Sequence, residues 1–234
     1  MIPPIAQNLA AVHDRIAAAA VAAGRDPAQI TLVAVTKTHP WAFVAAALAA
    51  GQIDFGENRP EEAHEKFGAA PPAVTPAPRL HLIGPIQSRK ARMAIACRPA
   101  LIHSIDRPKI ARKLSELAEE AGIVLDVLCE VNVAGEASKF GFTPAGLRAA
   151  LPELLALPGL RVCGLMTIPP FAPDPAASQP HFQALADLRA GLIQAYPQVS
   201  WRHLSMGMSH DFEIAIAEGA TLVRVGSAIF GPRP

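Results

Sequence analysis

Eight short apolar runs, rich in β-branched residues and spaced by stretches of helical composition, constrain this chain more than any other feature. The runs fall at residues 30–36, 53–57, 80–83, 101–104, 124–131, 160–166, 201–205 and 221–225. Residues 41–50, 60–67, 88–97, 109–121, 144–155, 181–195 and 212–218 read as helices between them, with one more helix at 5–23 ahead of the first run. Gly24, Gly51, Gly122, Gly159 and Gly219 stand where helices should stop, a position that favours glycine. Strands separated by helices pair in parallel. Eight such units predict an α/β fold, a single (β/α)8 barrel of TIM type with an extra N-terminal helix, filling residues 1–234 as one domain. The competing layout is an open doubly wound sheet. The strand count, and the lack of a Gly-x-Gly-x-x-Gly turn after the first strand, favour the barrel.

Composition narrows the function classes. At 51% hydrophobic the chain can bury a large core, and a formal net charge of +1 gives no reason to expect nucleic acid or an anionic membrane as partner. No apolar run approaches the roughly 20 residues that span a bilayer. The start, Met1-Ile2-Pro3-Pro4, carries no basic segment of the kind that opens a secretory signal. Cys97, Cys129 and Cys163 are an odd, widely spaced set; Cys129 and Cys163, in apolar strand-like runs, read as reduced core residues. The expectation is a soluble cytoplasmic protein, monomeric, with no membrane partner.

In a barrel of this type, chemistry sits at the C-terminal ends of the strands. Polar residues gather there: Lys37, Glu57, Asn58, His81, His103, Ser104, Asn132, Met166-Thr167, Ser205 and Arg224. Lys37 closes the first apolar strand, and a partly desolvated amine can act as a nucleophile and form a Schiff base with a carbonyl compound. Two small-residue turns follow strands seven and eight, Ser205-Met206-Gly207-Met208-Ser209 and Gly226-Ser227. These are the loops at which such barrels commonly hold phosphate. An aldehyde trap with a phosphate cradle points to pyridoxal phosphate. Arg224, set in an apolar strand, needs a partner: either an internal carboxylate or the cofactor's pyridine nitrogen. As an arginine it would keep that nitrogen unprotonated, which disfavours transaminase-like chemistry.

Other features have plainer readings. His81 and His103 show no metal-ligand spacing and read as pocket-lining or core residues. The cluster Arg89-Lys90-Ala91-Arg92 reads as a solvated face, and Lys139 as a loop lysine on the chemical face that could be a second amine near the site. The Pro-rich segment 71–78 leads into a strand and reads as a linker on the far face; 169–175 follows strand six and reads as a pocket rim or a passive loop.

Taken together, Val35-Thr36-Lys37, Asp54-Phe55-Gly56-Glu57-Asn58, His81-Leu82-Ile83-Gly84, Ile102-His103-Ser104-Ile105-Asp106, Gly164-Leu165-Met166, Ser205 to Asp211 and Val223 to Gly231 resemble the pyridoxal phosphate homeostasis proteins, from about residue 5 to residue 231. The resemblance implies the barrel of the alanine racemase N-terminal domain. It implies a Schiff base on Lys37, phosphate held by Ser205, Gly226 and Ser227, Arg224 at the pyridine nitrogen and Asn58 at the ring. Met166 and Gly207 are expected among the cofactor contacts, and Lys139 matches a lysine implicated in secondary cofactor contact. Pro85, Arg89 and Arg59 depart from the family's usual histidine, asparagine and tyrosine.

The resemblance favours a non-catalytic binder of pyridoxal phosphate acting in its homeostasis, with apo-enzymes that use the cofactor as candidate recipients. The alternative is an amino-acid racemase. Racemases on this barrel take a second proton carrier, a tyrosine, from a further C-terminal domain. This sequence ends at Pro234, and its one tyrosine, Tyr196, leads into strand seven on the opposite face. A third reading, a Schiff-base aldolase on a sugar phosphate, would need Glu57 or His81 as acid/base beside Lys37.

Overall fold

The computed structural model describes residues 3–68, 76–136 and 139–232. Its eight strands are β1 Thr31–Val35, β2 Asp54–Glu57, β3 Arg79–Leu82, β4 Leu101–Ile105, β5 Leu125–Glu130, β6 Leu160–Met166, β7 His203–Met208 and β8 Leu222–Val225. They pair in parallel, in chain order, and β8 closes on β1 through Thr31–Leu222 to Ala34–Val225. The helices are α1 Ile5–Ala22, α2 Trp41–Ala49, α3 Pro60–Ala63, α4 Ala91–Ala96, α5 Pro108–Glu120, α6 Pro144–Leu155, α7 Gln179–Ala195, α8 Phe212–Ala217 and α9 Ser227–Phe230. The predicted barrel and leading helix are thus the observed fold. Most of the Pro-rich segment at 71–78 lies outside the described residues.

The period of two explains how one strand serves two layers. In β1, Leu32 and Ala34 join the large core between sheet and helices, while Val33 belongs to a smaller cluster inside the barrel with Leu101, Leu128, Cys163, Met166 and Leu222. Helix α1 buries Ile5, Leu9, Val12, Ile16 and Ala20, a stripe at helical spacing that packs on α8, α9 and α2. No helix among the described residues is long and apolar enough to cross a membrane. Cys97, Cys129 and Cys163 are free and buried.

One boundary changes the reading of the site. Strand β7 does not stop at Ser205; it runs on to Met208, and its register against β8 shifts between Ser205 and Met208. That irregularity admits Gly207 at φ +91°, a backbone that glycine adopts without strain. The residues expected to form a turn are therefore partly strand.

Candidate active-site cavity

At the C-terminal mouth lies a cavity of about 310 Å³. Lys37, Asn58, Ser209, Arg224, Gly226 and Ser227 line it, with Val35, Ile83, Ile168 and Met208 as apolar wall. His39 and His210 are its titratable rings among the described residues, and none of these residues brings a carboxylate to it. The lining is thus a set of cations and hydroxyls on apolar walls, which suits a flat ring bearing an anionic group. Of the expected contacts, five face this space: Lys37, Asn58, Arg224, Gly226 and Ser227.

Lys37 is placed by a buried ion cluster under its loop. Lys66 Nζ donates to the Thr36 carbonyl at 2.8 Å, to Glu57 at 2.7 Å and to Glu62 at 3.1 Å. Thr36 Oγ1 donates to Glu57 at 2.7 Å, and the Thr38 N–H donates to Glu62. Thr38 has φ +67°, a strained backbone for a β-branched residue. The cluster holds that strained turn, and with it Lys37, at the end of β1. Glu57, fully buried in this cluster, and His81, deep in the barrel, do not line the cavity. The aldolase reading thereby lacks the acid/base it needed. Close loop packing sets the next wall: a Cβ on Gly84 would stand 2.5 Å from the Asn58 carbonyl oxygen.

Three expected contacts lie outside the cavity lining. Ser205, Gly207 and Met166 do not line the cavity. Because β7 continues, Ser205 lies a layer down inside the barrel, its Oγ accepting from Arg224 Nη1 at 2.6 Å and bonded to His103 Nδ1 at 2.8 Å. Gly207 is a packing position: a Cβ there would sit 2.6 Å from that of Ala215. Met166 is part of the interior cluster. The serine of that turn that lines the cavity is Ser209, not singled out as a contact from the sequence; its Oγ accepts from the N–H groups of Gly226 at 3.3 Å and Ala228 at 3.5 Å. It stood in the same small-residue stretch, and its position two residues beyond Gly207 was the available signal.

Beneath the cavity runs a buried polar chain that the sequence did not disclose. Arg224 also donates through Nη2 to the Thr167 carbonyl at 2.9 Å. His103 Nε2 meets His81 Nδ1 at 2.9 Å, His81 Nε2 meets Asp54 Oδ1 at 2.9 Å, and Arg79 closes the chain on Asp54 Oδ2 at 2.5 Å. Burial holds His103 well below the usual imidazole range, so it is neutral. The assignment that gives the Ser205 proton an acceptor runs one way: Arg224 to Ser205, Ser205 to His103, His103 to His81, His81 to Asp54. A cation at the cavity is thus linked to a carboxylate at the opposite mouth. Burial lowers Arg224 to about 10, against the opposing pull of Glu130 and Asp211.

Glu130, at the end of β5, is buried, and its Oε2 has no partner among the described residues. Burial, then Asp106, push it up to about 7, while Arg224 opposes them. A carboxyl raised in the folded state contributes stability that is complete below its ordinary value of 4.5 and lost as pH rises through about 7. Glu130→Gln cannot ionise. It is expected to gain on the native protein across that window, reaching ~3 kcal/mol above it; denaturant midpoints from acid to mildly alkaline pH measure the gap.

The remaining expectations fall around the rim. Ile168 lines the cavity, and the segment after β6 touches it through His210, which lies 3.1 Å from the Pro173 carbonyl and against the Phe171 ring. Lys139 is exposed, donates its N–H to the Glu136 carbonyl at 3.1 Å, and does not line the cavity. Tyr196 caps the C-terminus of α7, where its carbonyl accepts from Trp201 Nε1 at 3.2 Å. It leads into β7, on the face opposite the cavity.

Comparison with known proteins gives the family. The alanine racemase N-terminal domain family matches residues 7–234. The pyridoxal phosphate homeostasis protein of Pseudomonas aeruginosa is 48% identical over 98% of this chain and 96% of its own, and that of Escherichia coli K12 is 41% identical over 98% and 97%. The structure of PipY from Synechococcus elongatus with pyridoxal phosphate bound superposes with a TM-score of 0.85 at 38% identity, covering 97% of this chain and all of that one. With the barrel, the Lys37 cavity and matches over nearly the full length, the chain belongs to the alanine racemase N-terminal domain family and, within it, to the pyridoxal phosphate homeostasis proteins.

Proposed function

We propose that this protein binds pyridoxal phosphate in the C-terminal cavity and serves in homeostasis of the cofactor as a cytoplasmic, non-catalytic binder. The observation that carries the proposal is the lining: an amine at a strained strand end, a guanidinium, two serine hydroxyls and, among the described residues, no carboxylate, around one apolar-walled space. Bound there, the group would supply an aldehyde open to reversible attachment by an amine. Lys37 would provide that amine. Ser209 and Ser227 would hold the phosphate beside Gly226, Arg224 would face the pyridine nitrogen, and Asn58 would border the ring. Ser205 acts in this reading through Arg224, as a positioning residue.

The cradle is tested by comparing pyridoxal with pyridoxal phosphate in equilibrium titrations of the apo-protein. The expected result is a clear preference for the phosphate form. That preference should shrink about tenfold or more in Ser209→Ala and Ser227→Ala, since each removes a hydrogen bond to a charged group. Equal affinity for the two compounds overturns the cradle.

A racemase reading keeps one observation in its favour: His39 and His210 line the cavity and could carry a proton opposite Lys37. His39 is stacked on Phe43 with centroids 4.7 Å apart, which suits a wall better than a moving proton carrier. A D/L-amino-acid interconversion assay on the loaded protein decides, and no turnover is the expected result.

A further inference from the structure

The N-terminal mouth of the barrel, opposite Lys37, gathers cations that the fold does not need there. Arg25 lies between α1 and β1, Arg189 lies on α7, and Arg202 immediately precedes β7. All three line one cavity of about 510 Å³, with Gln29, His203 and Thr221, and no acidic residue among the described ones lines it. Arg25 and Arg189 are partly buried. Burial lowers both, the proximity of Arg25 lowers Arg189 further, and no carboxylate raises either. Arg202 reaches Asp126 at 3.1 Å, but that carboxylate is shared with Arg161 at 2.5 Å. The cavity therefore carries a surplus of positive charge.

A structural role accounts for only part of this. Arg25 Nη1 donates to the Ile216 carbonyl at 2.6 Å and Arg189 Nε to the Trp201 carbonyl at 2.5 Å. Each bond uses one of the five donors of a guanidinium, and holding a carbonyl needs no second cation beside it. Two half-desolvated like charges repel, and such groups are ordinarily paired with a carboxylate or a ligand. The planar fork of arginine matches phosphate and carboxylate oxygens two at a time. His203 adds a buried Nδ1 without a partner among the described residues. It also lines an adjoining cavity of about 150 Å³ that includes Asp54 and His81. A cavity of this size is in the range of small-molecule sites rather than of a bare ion.

We infer that the N-terminal mouth is a second binding site, taking a small molecule whose phosphate or carboxylate group is gripped by Arg25 and Arg189 with Arg202 at the rim. It is separate from the Lys37 cavity and lies at the other end of the barrel.

The test is proton NMR of the full apo-protein. The His203 ring resonance, assigned by its loss in His203→Gln, is followed while inorganic phosphate or, separately, malonate is added at constant pH. The expected result is a saturable shift with at least one probe, with a dissociation constant of ~1 mM or tighter. A response to phosphate alone assigns a phosphate group, and a response to malonate alone a carboxylate. Arg25→Gln and Arg189→Gln should weaken it about tenfold or more. Arg202→Gln, which alters only an exposed side chain, covers the case in which the half-buried variants fail to fold, and should weaken it severalfold. Ser227→Ala, at the opposite mouth, should leave it unchanged. A His203 resonance that neither probe moves, or a shift that persists undiminished in the arginine variants, overturns the inference.

Discussion

Lys37→Ala is expected to abolish covalent capture of pyridoxal phosphate while leaving the barrel folded. The two halves of this expectation rest on different residues. Lys37 lies past the last ladder residue of β1, is only partly buried, and belongs to neither hydrophobic cluster. Truncation there creates no core cavity, so the stability cost should stay within ~1 kcal/mol. The loop is held by bonds among Lys66, Glu57, Glu62 and Thr36, all of which the substitution leaves in place. The chemical effect is total because attachment needs a nucleophilic amine at the cavity.

Lys66 cannot take over. Its ammonium is committed to Glu57, Glu62 and the Thr36 carbonyl, and it does not line the cavity. The measurement is borohydride reduction of the loaded protein followed by peptide mapping, with a denaturant melt of each apo-protein. Label should map to Lys37 in the native chain and be lost in Lys37→Ala, with superimposable melts. Label that persists on another lysine would assign the amine elsewhere. A collapsed melt would make Lys37 a structural residue.

How much of this was legible in the sequence follows from what each residue type reports. Buried parallel strands need apolar runs on both faces, so the eight runs and their helices announced the barrel. Lys37 and Arg224 were legible because a charge at the end of, or within, an apolar strand demands an explanation. The course of β7 was not. Ser205-Met206-Gly207-Met208-Ser209 is small and polar enough to read as a turn, yet the register shift against β8 lets the strand continue through it. That one difference sets Ser205 beneath Arg224, outside the cavity lining, and makes Ser209 the serine of that stretch that lines it. The chain from Asp54 through His81 and His103 to Ser205 was illegible for another reason. Its members come from β2, β3, β4 and β7, and only the register of a closed sheet brings them to hydrogen-bonding distance. The cationic mouth at Arg25, Arg189 and Arg202 is likewise assembled from distant segments.

Arg224→Leu is expected to destabilise the apo-protein by ~4 kcal/mol, because it strips donors from two buried acceptors and removes a cation from beside a buried carboxyl. The Thr167 carbonyl and the Ser205 hydroxyl each lose a bond that Arg224 makes at 2.9 and 2.6 Å. Leucine offers neither donor, and no water-filled route is needed to explain the cost. Glu130 supplies the sharper test. Arg224 is the group that opposes its burial, so without the cation Glu130 should rise further above about 7. The pH at which stability stops falling should then move upward in Arg224→Leu. Adding Glu130→Gln removes the carboxyl altogether. The double variant should therefore recover part of the loss at alkaline pH and none below pH 4.5, where Glu130 is protonated in both folded and unfolded chains. Such pH-dependent non-additivity is the mark of a direct charge coupling. Simple additivity at every pH would mean that Arg224 acts on Ser205 and Thr167 alone. Unaltered stability in the single variant would mean that the polar chain down to Asp54 does not depend on the arginine at its head.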